Sequence, residues 1–221
     1  MEETKENLEK MNGYGISEGI SEIILTTRNT IENPPEKYNA APIGIIWKND
    51  KMFLHLFTGT KTCRNLTTEK YFAANMTDDA VLYTLSTFYD LKEENFSTVS
   101  IEAENSVEMI PVLKNASRFV IFKCLSQKAS DDIMIIEIEP VLFRKMNAEN
   151  ESLLINRGFN SVIEACVHMT RYEKTKDPLF IDLIRHHFSL IQRCGRKRDK
   201  EGLALLKKRL IEIESENEQN K

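Results

Sequence analysis

The sequence predicts an α+β protein in which a closed antiparallel β-barrel is followed by three helices. Strand-like segments follow one another through the first two thirds of the chain without regular helices between them, which favours a barrel over a doubly wound sheet. The last third has apolar residues at helical spacing. The formal charge changes near the same place, from −7 over residues 1–150 (16 basic and 23 acidic side chains) to +3 over residues 151–221 (14 and 11). We therefore expect two domains with these bounds.

The strands are predicted from short runs of β-branched, aromatic and other apolar residues. In chain order, the predicted strands are residues 22–27, 43–47, 52–57, 71–76, 107–109, 117–125 and 133–143. Pro140 interrupts the last of these runs. Because proline has no N–H for a strand ladder, it predicts an edge position or a bend.

The segments between the strands predict two short helices and a loop. Residues 58–70 lose the strand alternation and predict a turn into a helix. Asp78 and Asp79 are suited to cap a second helix that ends near Tyr89. Residues 90–103 are polar and weakly patterned, so we expect a loop there.

Three amphipathic helices are predicted in the last third of the chain. The first covers residues 152–174, and the second opens at Asp177 and Pro178, which are typical of an N-cap and a first turn. Gly195 is a typical helix end. The third helix is predicted over residues 199–216.

Composition and terminal pattern predict the compartment. The longest stretches without a charged residue, residues 38–47 and 80–89, are ten residues long, whereas a membrane span needs about 20. The acidic start lacks the basic and apolar parts of a secretory signal. The four cysteines are far apart, which is typical of reduced thiols. We therefore expect a cytoplasmic protein without a membrane span.

Several other ligand classes are disfavoured. The net charge of −4 and the acidic residues beside the basic run 193–200 argue against nucleic acid. The chain has eight glycines and no glycine-rich nucleotide-binding motif. His187 and Cys194 are two helical turns apart, about 10 Å, so we expect no metal site. His55 alternates along an apolar strand and suits a packed or surface residue better than a proton donor.

Two segments have residue types that suit a ligand. Residues 39–44 (Asn-Ala-Ala-Pro-Ile-Gly) bring small side chains and a proline into a strand, so that the main chain can approach a flat ligand. Residues 58–66 combine a glycine, threonine hydroxyls and two cations at a strand-to-helix turn, which suits a phosphate. On residue types alone, the first segment equally suits a structural strand entry and the second an ordinary helix cap.

In this order, the segments resemble the FMN-binding split-barrel proteins of the flavin-reductase type. The resemblance rests on residues 24–27, 39–44, 60–62 with 65–66, and 72–75. The whole chain is more closely similar to the uncharacterised DUF447 family, in which such a barrel is followed by a helical region. This resemblance covers about residues 16–175.

The resemblance implies a six-stranded antiparallel split β-barrel that forms a homodimer and holds FMN near the subunit interface. It implies that residues 39–44 lie along the isoalloxazine ring, that residues 60–62 hold the phosphate, and that Thr27 faces the ring. Asn75 matches an asparagine of the family's strand motif. The implied FMN-binding residues are Thr27, Asn39, Ala40, Ala41, Pro42, Ile43, Gly44, Thr58, Thr60, Lys61, Thr62 and Asn75.

For function, the resemblance implies an oxidoreductase of the flavin-reductase type with NADH or NADPH as electron donor. The flavin would then perform the redox chemistry, and no acid–base side chain is required. Two alternatives stay open. One is a non-catalytic module that stores flavin or carries electrons from a protein donor, and the other is an interaction protein whose barrel has lost the cofactor. The sequence identifies no catalytic residue.

Overall fold

A computed structural model describes residues 10–32, 34, 36–103, 106–146 and 155–219, with side chains described to residue 215. The chain divides into two compact units. Described residues up to 17 and residues 21–155 form the first unit, and residues 18–20 with the chain from 156 onward form the second. The predicted domain boundary at residues 150 and 151 lies outside the described residues.

The described residues form eight strands, six of which close an antiparallel barrel in the order β1-β2-β3-β8-β7-β4, while β5 and β6 form a separate hairpin. This confirms the predicted fold class and the six-stranded antiparallel barrel. The strands are β1 (Gly19–Arg28), β2 (Tyr38–Lys48), β3 (Lys51–Phe57), β4 (Tyr71–Met76), β5 (Phe96–Ala103), β6 (Ser106–Leu113), β7 (Arg118–Ser130) and β8 (Ile133–Lys145).

The core of the first unit is built by alternating side chains of the barrel strands. On β3, Met52, Leu54 and Leu56 are buried in this core, whereas His55 is exposed. Successive side chains of a strand point to opposite faces of the sheet. His55 therefore lies on the outer face of the barrel.

Strand β8 contains a bulge at Pro140. Phe122 pairs with Pro140, and Ile121 pairs with Leu142, so Val141 is the extra residue. A bulge bends the strand locally and removes the need for a ladder N–H at the proline. The bend predicted from Pro140 is confirmed.

The loop predicted over residues 90–103 is wrong, because β5 occupies residues 96–103. Strand β5 pairs with β6 along its whole length. Thr98, Ser100 and Glu102 are exposed on one face of β5, which is why the segment looks polar in the sequence. Val99 and Ile101 on the other face pack against apolar residues of the barrel. The alternation of apolar and polar residues that is typical of a strand is present in β5, but only Val99 and Ile101 provide its apolar positions.

Two short helices lie between barrel strands, α1 (Lys61–Thr68) and α2 (Ala80–Phe88). The Asp79 carboxylate accepts hydrogen bonds from the N–H groups of Val81 at 2.8 Å and Leu82 at 3.1 Å. This N-cap satisfies two of the donors that a helix start leaves unpaired, and it confirms the helix predicted after Asp79.

The described part of the second unit contains three helices, α3 (Arg157–Thr175), α4 (Leu179–Cys194) and α5 (Lys197–Gln219). Their number and order are as predicted. Their buried core is Ala165, Met169, Tyr172, Ile184, Phe188, Ile191, Leu203, Leu210 and Ile213. Among the described residues, no helix combines the length and the apolarity that a membrane-spanning helix needs.

Gly195 ends α4, as predicted, but for a different physical reason. Its φ of −71° is available to any residue, so left-handed backbone is not the cause. A Cβ on Gly158 would lie 2.3 Å from the Gly195 Cα, and a Cβ on Gly195 would lie 2.5 Å from the Ile191 carbonyl oxygen. Gly158 is required because the start of α3 meets the end of α4 backbone to backbone, and Gly195 is required because a side chain there would collide with the last turn of α4 itself.

Candidate functional site

The barrel has an opening where β2 and β3 separate. The ladder between these strands pairs residues 45–48 with residues 51–54, and no β3 partner is found for the earlier part of β2 within the described residues. Beyond the ladder, β3 continues to Phe57 and pairs with β8. Helix α1 contacts both β2 and β3. The predicted ring-binding segment, residues 39–44, therefore lies on a strand edge that β3 leaves open.

The residues of this open edge explain why the strands separate. Asn39 and Ala40 are buried, and residues 41–44 are partly exposed. Pro42 cannot donate to a ladder, which favours an unpaired edge at this position. Gly44 has no side chain, so another group can approach its main chain closely.

The first turn of α1 is joined to this edge. The Asn39 amide donates to the Thr62 hydroxyl at 3.0 Å. Thr60 is the N-cap of α1, and its hydroxyl accepts from the Cys63 N–H at 3.2 Å and donates to the Phe57 carbonyl at 2.8 Å. The N–H groups of Lys61 and Thr62 have no partner within the helix, because they belong to its first turn.

Two cations stand at this helix start. The Lys61 ammonium lies 2.6 Å from both carboxylate oxygens of Asp90, and both side chains are about half exposed. Lys61 and Arg64 line a small cavity of about 50 Å³ together with Asn65. First-turn amides, the helix dipole and two cations together favour an anion.

The end of β1 is bound to α1 through Asn65. The Asn65 amide donates to the Thr27 hydroxyl at 2.8 Å and to the Asn29 side-chain oxygen at 3.1 Å. Its oxygen accepts from the Thr30 N–H at 3.3 Å. The set of predicted site residues omitted Asn65, although its place in the motif at residues 65–66 was the available signal.

Thr58 begins the turn that leads from β3 into α1. Its side chain is exposed, and its N–H donates to the Asp132 carbonyl at 3.0 Å. Thr58, Thr60 and Lys61 thus lie together on the exposed side of this turn, while Thr27, Asn39 and Thr62 are buried beside it.

Asn75 has a different setting from the other predicted residues. It is fully buried, and its amide donates to the Ile24 carbonyl at 2.9 Å and to the Thr26 hydroxyl at 3.0 Å. Its oxygen accepts from the Leu113 N–H at 2.9 Å. These bonds tie β1, β4 and β6 together, so Asn75 has a structural role. Contact between Asn75 and FMN stays a prediction.

The candidate site contains no activated nucleophile among the residues described above. Burial raises the pKa of the Cys63 thiol, so this thiol stays protonated near neutral pH. Among the described residues, no group of three His, Cys, Asp or Glu side chains is arranged to hold a metal ion. The arrangement suits binding and orientation of an anionic ligand better than nucleophilic or metal-assisted chemistry.

Comparisons with known proteins agree with this fold. Two family models match the chain: the N-terminal domain of the protein of unknown function DUF447 over residues 21–148, and DUF447 itself over residues 156–208. The uncharacterized protein MJ1453 of Methanocaldococcus jannaschii is 26% identical over 201 residues, which are 82% of this chain and 93% of the relative.

A solved structure of the same family is also similar. It is the crystal structure of the FMN-bound DUF447 protein MM1853 from Methanosarcina mazei, which is 37% identical and has a TM-score of 0.57. The similarity covers 90% of this chain and 98% of that protein. On the family match and on this relative, the chain belongs to the DUF447 family.

Proposed function

We propose that this chain is an FMN-binding flavoprotein, an oxidoreductase of the flavin-reductase type, with the flavin in the opening between β2 and β3. The observation that carries the proposal is the open strand edge at residues 39–44 beside a helix start that bears two cations. The FMN-bound state of the 37% identical relative MM1853 supports the same cofactor here.

The phosphate end of FMN is assigned to the first turn of α1. The first-turn N–H groups and the Thr62 hydroxyl supply hydrogen-bond donors, and Lys61 and Arg64 supply positive charge. The Thr60 hydroxyl donates to the phosphate only by giving up its bond to the Phe57 carbonyl. Lys61 already binds the Asp90 carboxylate. A phosphate that engages Lys61 therefore replaces one anion by another, and the lysine needs no large movement.

The ring end is assigned to residues 39–44 of β2. Main-chain groups on the open edge can hydrogen-bond the polar edge of a flat ring, and the small side chains of Ala40 and Ala41 allow close approach. Asn65 holds Thr27 at the end of β1, which orients the Thr27 hydroxyl beside this segment. When bound, FMN supplies hydride and electron transfer. The residues of the chain bind it, orient it and shield it from water.

The homodimer is part of the proposal because one copy supplies only part of an enclosing site. The cavity at Lys61, Arg64 and Asn65 has a volume of about 50 Å³, whereas sites that enclose small ligands have roughly 300–1,000 Å³. We assign the missing wall to a second copy of the chain.

The exposed apolar face of α2 supports this assignment. Val81, Leu85, Phe88 and Tyr89 are spaced so that they share one face of the helix, and they are 40–74% exposed. Asp90, the next residue, is the partner of Lys61. The apolar face is therefore continuous with the start of α1, and a second copy seated on it would cover the candidate site.

The cofactor is tested by titrating purified, flavin-free protein with FMN and following flavin fluorescence. We expect saturable binding, and we expect Thr62→Val and Lys61→Gln each to weaken it about tenfold, because each removes a hydrogen-bond partner or a charge at the phosphate. Thr67→Val on the last turn of the same helix and Lys92→Gln on the surface are the matched controls and should bind FMN normally. Absence of binding in the unaltered protein contradicts the proposal.

Thr60 needs a separate variant because it caps α1. Thr60→Ala removes both the phosphate hydroxyl and the N-cap, at a stability cost of about 1 kcal/mol. Thr60→Ser keeps both groups and should keep FMN affinity. If fully folded Thr60→Ala protein binds FMN with normal affinity, the Thr60 hydroxyl does not contact the phosphate.

The second copy is tested by sedimentation of the FMN-loaded protein. We expect a dimer, and we expect Phe88→Ser with Tyr89→Ser to shift it toward monomer and to weaken FMN binding. Val107→Ser, which changes an equally exposed residue on the β5–β6 hairpin, is the control. An unchanged dimer in the double variant would mean that another surface forms the interface.

The oxidoreductase assignment is tested by mixing FMN-loaded protein with NADH or NADPH without oxygen. Bleaching of the flavin absorbance by either nucleotide is the expected result. No bleaching by either nucleotide, together with rapid reduction by a protein donor, would instead identify an electron carrier.

A further inference from the structure

We propose that His168 of α3 and His187 of α4, which we call the histidine pair, form a pH-sensitive switch in the second unit. The pair keeps the two helices packed while both rings are neutral, and it loosens their packing when the solution becomes mildly acidic. The residues assigned to FMN all belong to the first unit. The inference therefore does not depend on the proposed function.

The rings of the histidine pair are stacked on each other between the two helices. Their centroids are 5.4 Å apart, and their planes differ by 24°. Phe180 of α4 also stacks on His168, with centroids 5.9 Å apart. Phe180 and His187 are seven residues apart, which is two turns of α4, so the His168 ring lies between them. His186 meets His187 edge-on at 5.4 Å.

Each ring of the pair has a buried nitrogen without a hydrogen bond. Nδ1 of His168 and Nδ1 of His187 have no partner among the described residues. A neutral imidazole has one N–H and one acceptor nitrogen, whereas an imidazolium has an N–H at both nitrogens. Protonation would therefore place a charged N–H where no acceptor is available. An unpaired buried polar group costs free energy, and an unpaired buried charge costs more.

The charges around the pair add to this cost. The charged groups that act on His187 are His168 and Glu164 of α3 and His186 of α4 itself. Of these, Glu164 favours the charged ring. Its Oε2 lies 3.9 Å from Nε2 of His168, but its side chain is 57% exposed, so water screens the attraction. The side chains that α5 contributes to this core carry no charge: Leu203, Leu210 and Ile213.

The sign of the pH dependence follows from His187. Its pKa is lowered from the ordinary 6.5, first by burial and then by the charges of His168 and His186. A group whose pKa is lower in the folded state binds protons more readily in the unfolded state. The stability that it contributes is complete above about pH 6.5 and is lost as the pH falls through the folded-state pKa. The loss begins well above the range near pH 4 in which carboxylates titrate.

A loosened histidine pair would expose apolar side chains of the helical core. Met169 on α3 and Ile184 and Phe188 on α4 are buried there, next to the pair in the chain. Proteins open locally in cooperative units that are smaller than the whole chain. The acid form that we expect has a native barrel and a second unit with newly exposed apolar surface.

The titration itself is measured by NMR of the histidine ring protons in the full, unaltered chain. The chain has four histidines, and His→Gln variants assign their signals. We expect the midpoint of His187 to lie below pH 6.5. A midpoint at or above pH 6.5 would overturn the proposal. This measurement needs no altered protein beyond the assignment.

The structural consequence is measured by amide hydrogen exchange, with each rate divided by that of an unfolded peptide at the same pH. Between about pH 7.5 and pH 5.5, we expect the protection of amides in α3 and α4 to fall about tenfold, which corresponds to one pKa unit. The amides of β3 and β8 should keep their protection. No fall in the helices, or an equal fall in the barrel, contradicts the switch.

Variants show whether the histidine pair causes the fall. His187→Phe keeps an aromatic ring in the stack and removes the titrating nitrogens, so its helices should stay protected at both pH values. His168→Phe is the second variant in case the first does not fold, and protection at neutral pH shows which of them is folded. His55→Gln removes an exposed histidine of the first unit and should keep the tenfold fall. The same fall in a folded phenylalanine variant would overturn the proposal.

Discussion

Two boundaries between strands of the barrel, which we call seams, each contain a buried asparagine, but the two asparagines have different surroundings. At the β1–β4 seam, Asn75 is fully buried and every polar atom of its side chain is bound by protein. At the β2–β3 seam, Asn39 binds Thr62 beside a strand edge that has no β3 partner in the described ladder. The β1–β4 seam is closed by a strand ladder, and Asn75 adds side-chain hydrogen bonds across it. The β2–β3 seam is open next to Asn39.

This difference in hydrogen bonding distinguishes a polar residue with a structural role from one that is available to a ligand. Buried polar groups are nearly always hydrogen-bonded in native proteins. A side chain whose donors and acceptors are all satisfied by the protein has nothing left to offer a ligand. The family resemblance placed both asparagines in cofactor-binding motifs, Asn39 in residues 39–44 and Asn75 in residues 72–75. The two are distinguished by the hydrogen bonds of the Asn75 side chain, which are all made within the protein.

The largest expected effect tests the closed seam. Asn75→Ala leaves the Leu113 N–H and the Ile24 carbonyl without their buried partner, which should lower the free energy of unfolding by roughly 2–4 kcal/mol. Denaturant unfolding measures this loss. Asn115→Ala, at an exposed turn, should change stability by less than about 0.5 kcal/mol. A loss as small as in this control would mean that the seam does not depend on Asn75.

A smaller loss is expected when the neighbour of Asn75 is altered. The fully buried Thr26 hydroxyl donates to the Pro111 carbonyl at 2.5 Å and accepts from Asn75. Thr26→Val should cost about 1–2 kcal/mol. Combined with Asn75→Ala, it should show a coupling energy above about 0.5 kcal/mol, because the two side chains share a bond. Simple additivity would argue against one connected network.

The open seam should tolerate the equivalent change. Asn39→Ala removes one hydrogen bond, to Thr62, whereas Asn75→Ala removes bonds to two other strands, so we expect about 1 kcal/mol of destabilisation or less and a measurable loss of FMN affinity. Denaturant unfolding and FMN titration of the same sample give both values. Equal destabilisation by Asn39→Ala and Asn75→Ala would remove the distinction between the seams.

The smallest expected effect is on the pH dependence of stability, through the ion pair between Arg28 at the end of β1 and Glu108. The hydrogen bond from Ser106, followed by that from Arg28, lowers the pKa of Glu108 below its ordinary 4.5. The ionised Glu108 carboxylate therefore stabilises the folded state above about pH 4.5, and this stabilisation is lost as the pH falls below that value. Glu108→Gln should cost about 0.5 kcal/mol near neutral pH and flatten the stability profile at acid pH. An unchanged profile would show that the ion pair contributes no stability.

Local sequence patterns were sufficient for most elements. The alternation along β3, the cap at Asp79 and the helical spacing after residue 156 each act over a few neighbouring residues, so they could be read directly. Strand β5 was missed because its exposed face is polar and only two side chains carry the apolar alternation. Its partner β6 and the barrel surface beneath it, rather than its own composition, complete the strand.

The candidate site was predictable in part. The segment at residues 39–44 and the turn at residues 58–62 combine small residues, hydroxyls and cations that suit their assigned roles. Asn65 was missed because its function is to bind Thr27, a residue 38 positions away. The role of Asn75 could not be separated from ligand contact, because its partners lie on two other strands.

The sequence by itself determined the class of fold, the order of the six barrel strands and of the three C-terminal helices, and the family to which the chain belongs, because these depend on periodicity and on short motifs in order. Only the tertiary structure decided which polar groups are saturated, where β2 and β3 separate, and that His168 and His187 stack between two helices. Those properties arise from contacts between segments that are distant in the chain. The pattern of residues along the sequence does not show which hydrogen-bond donors and acceptors are paired in the folded protein.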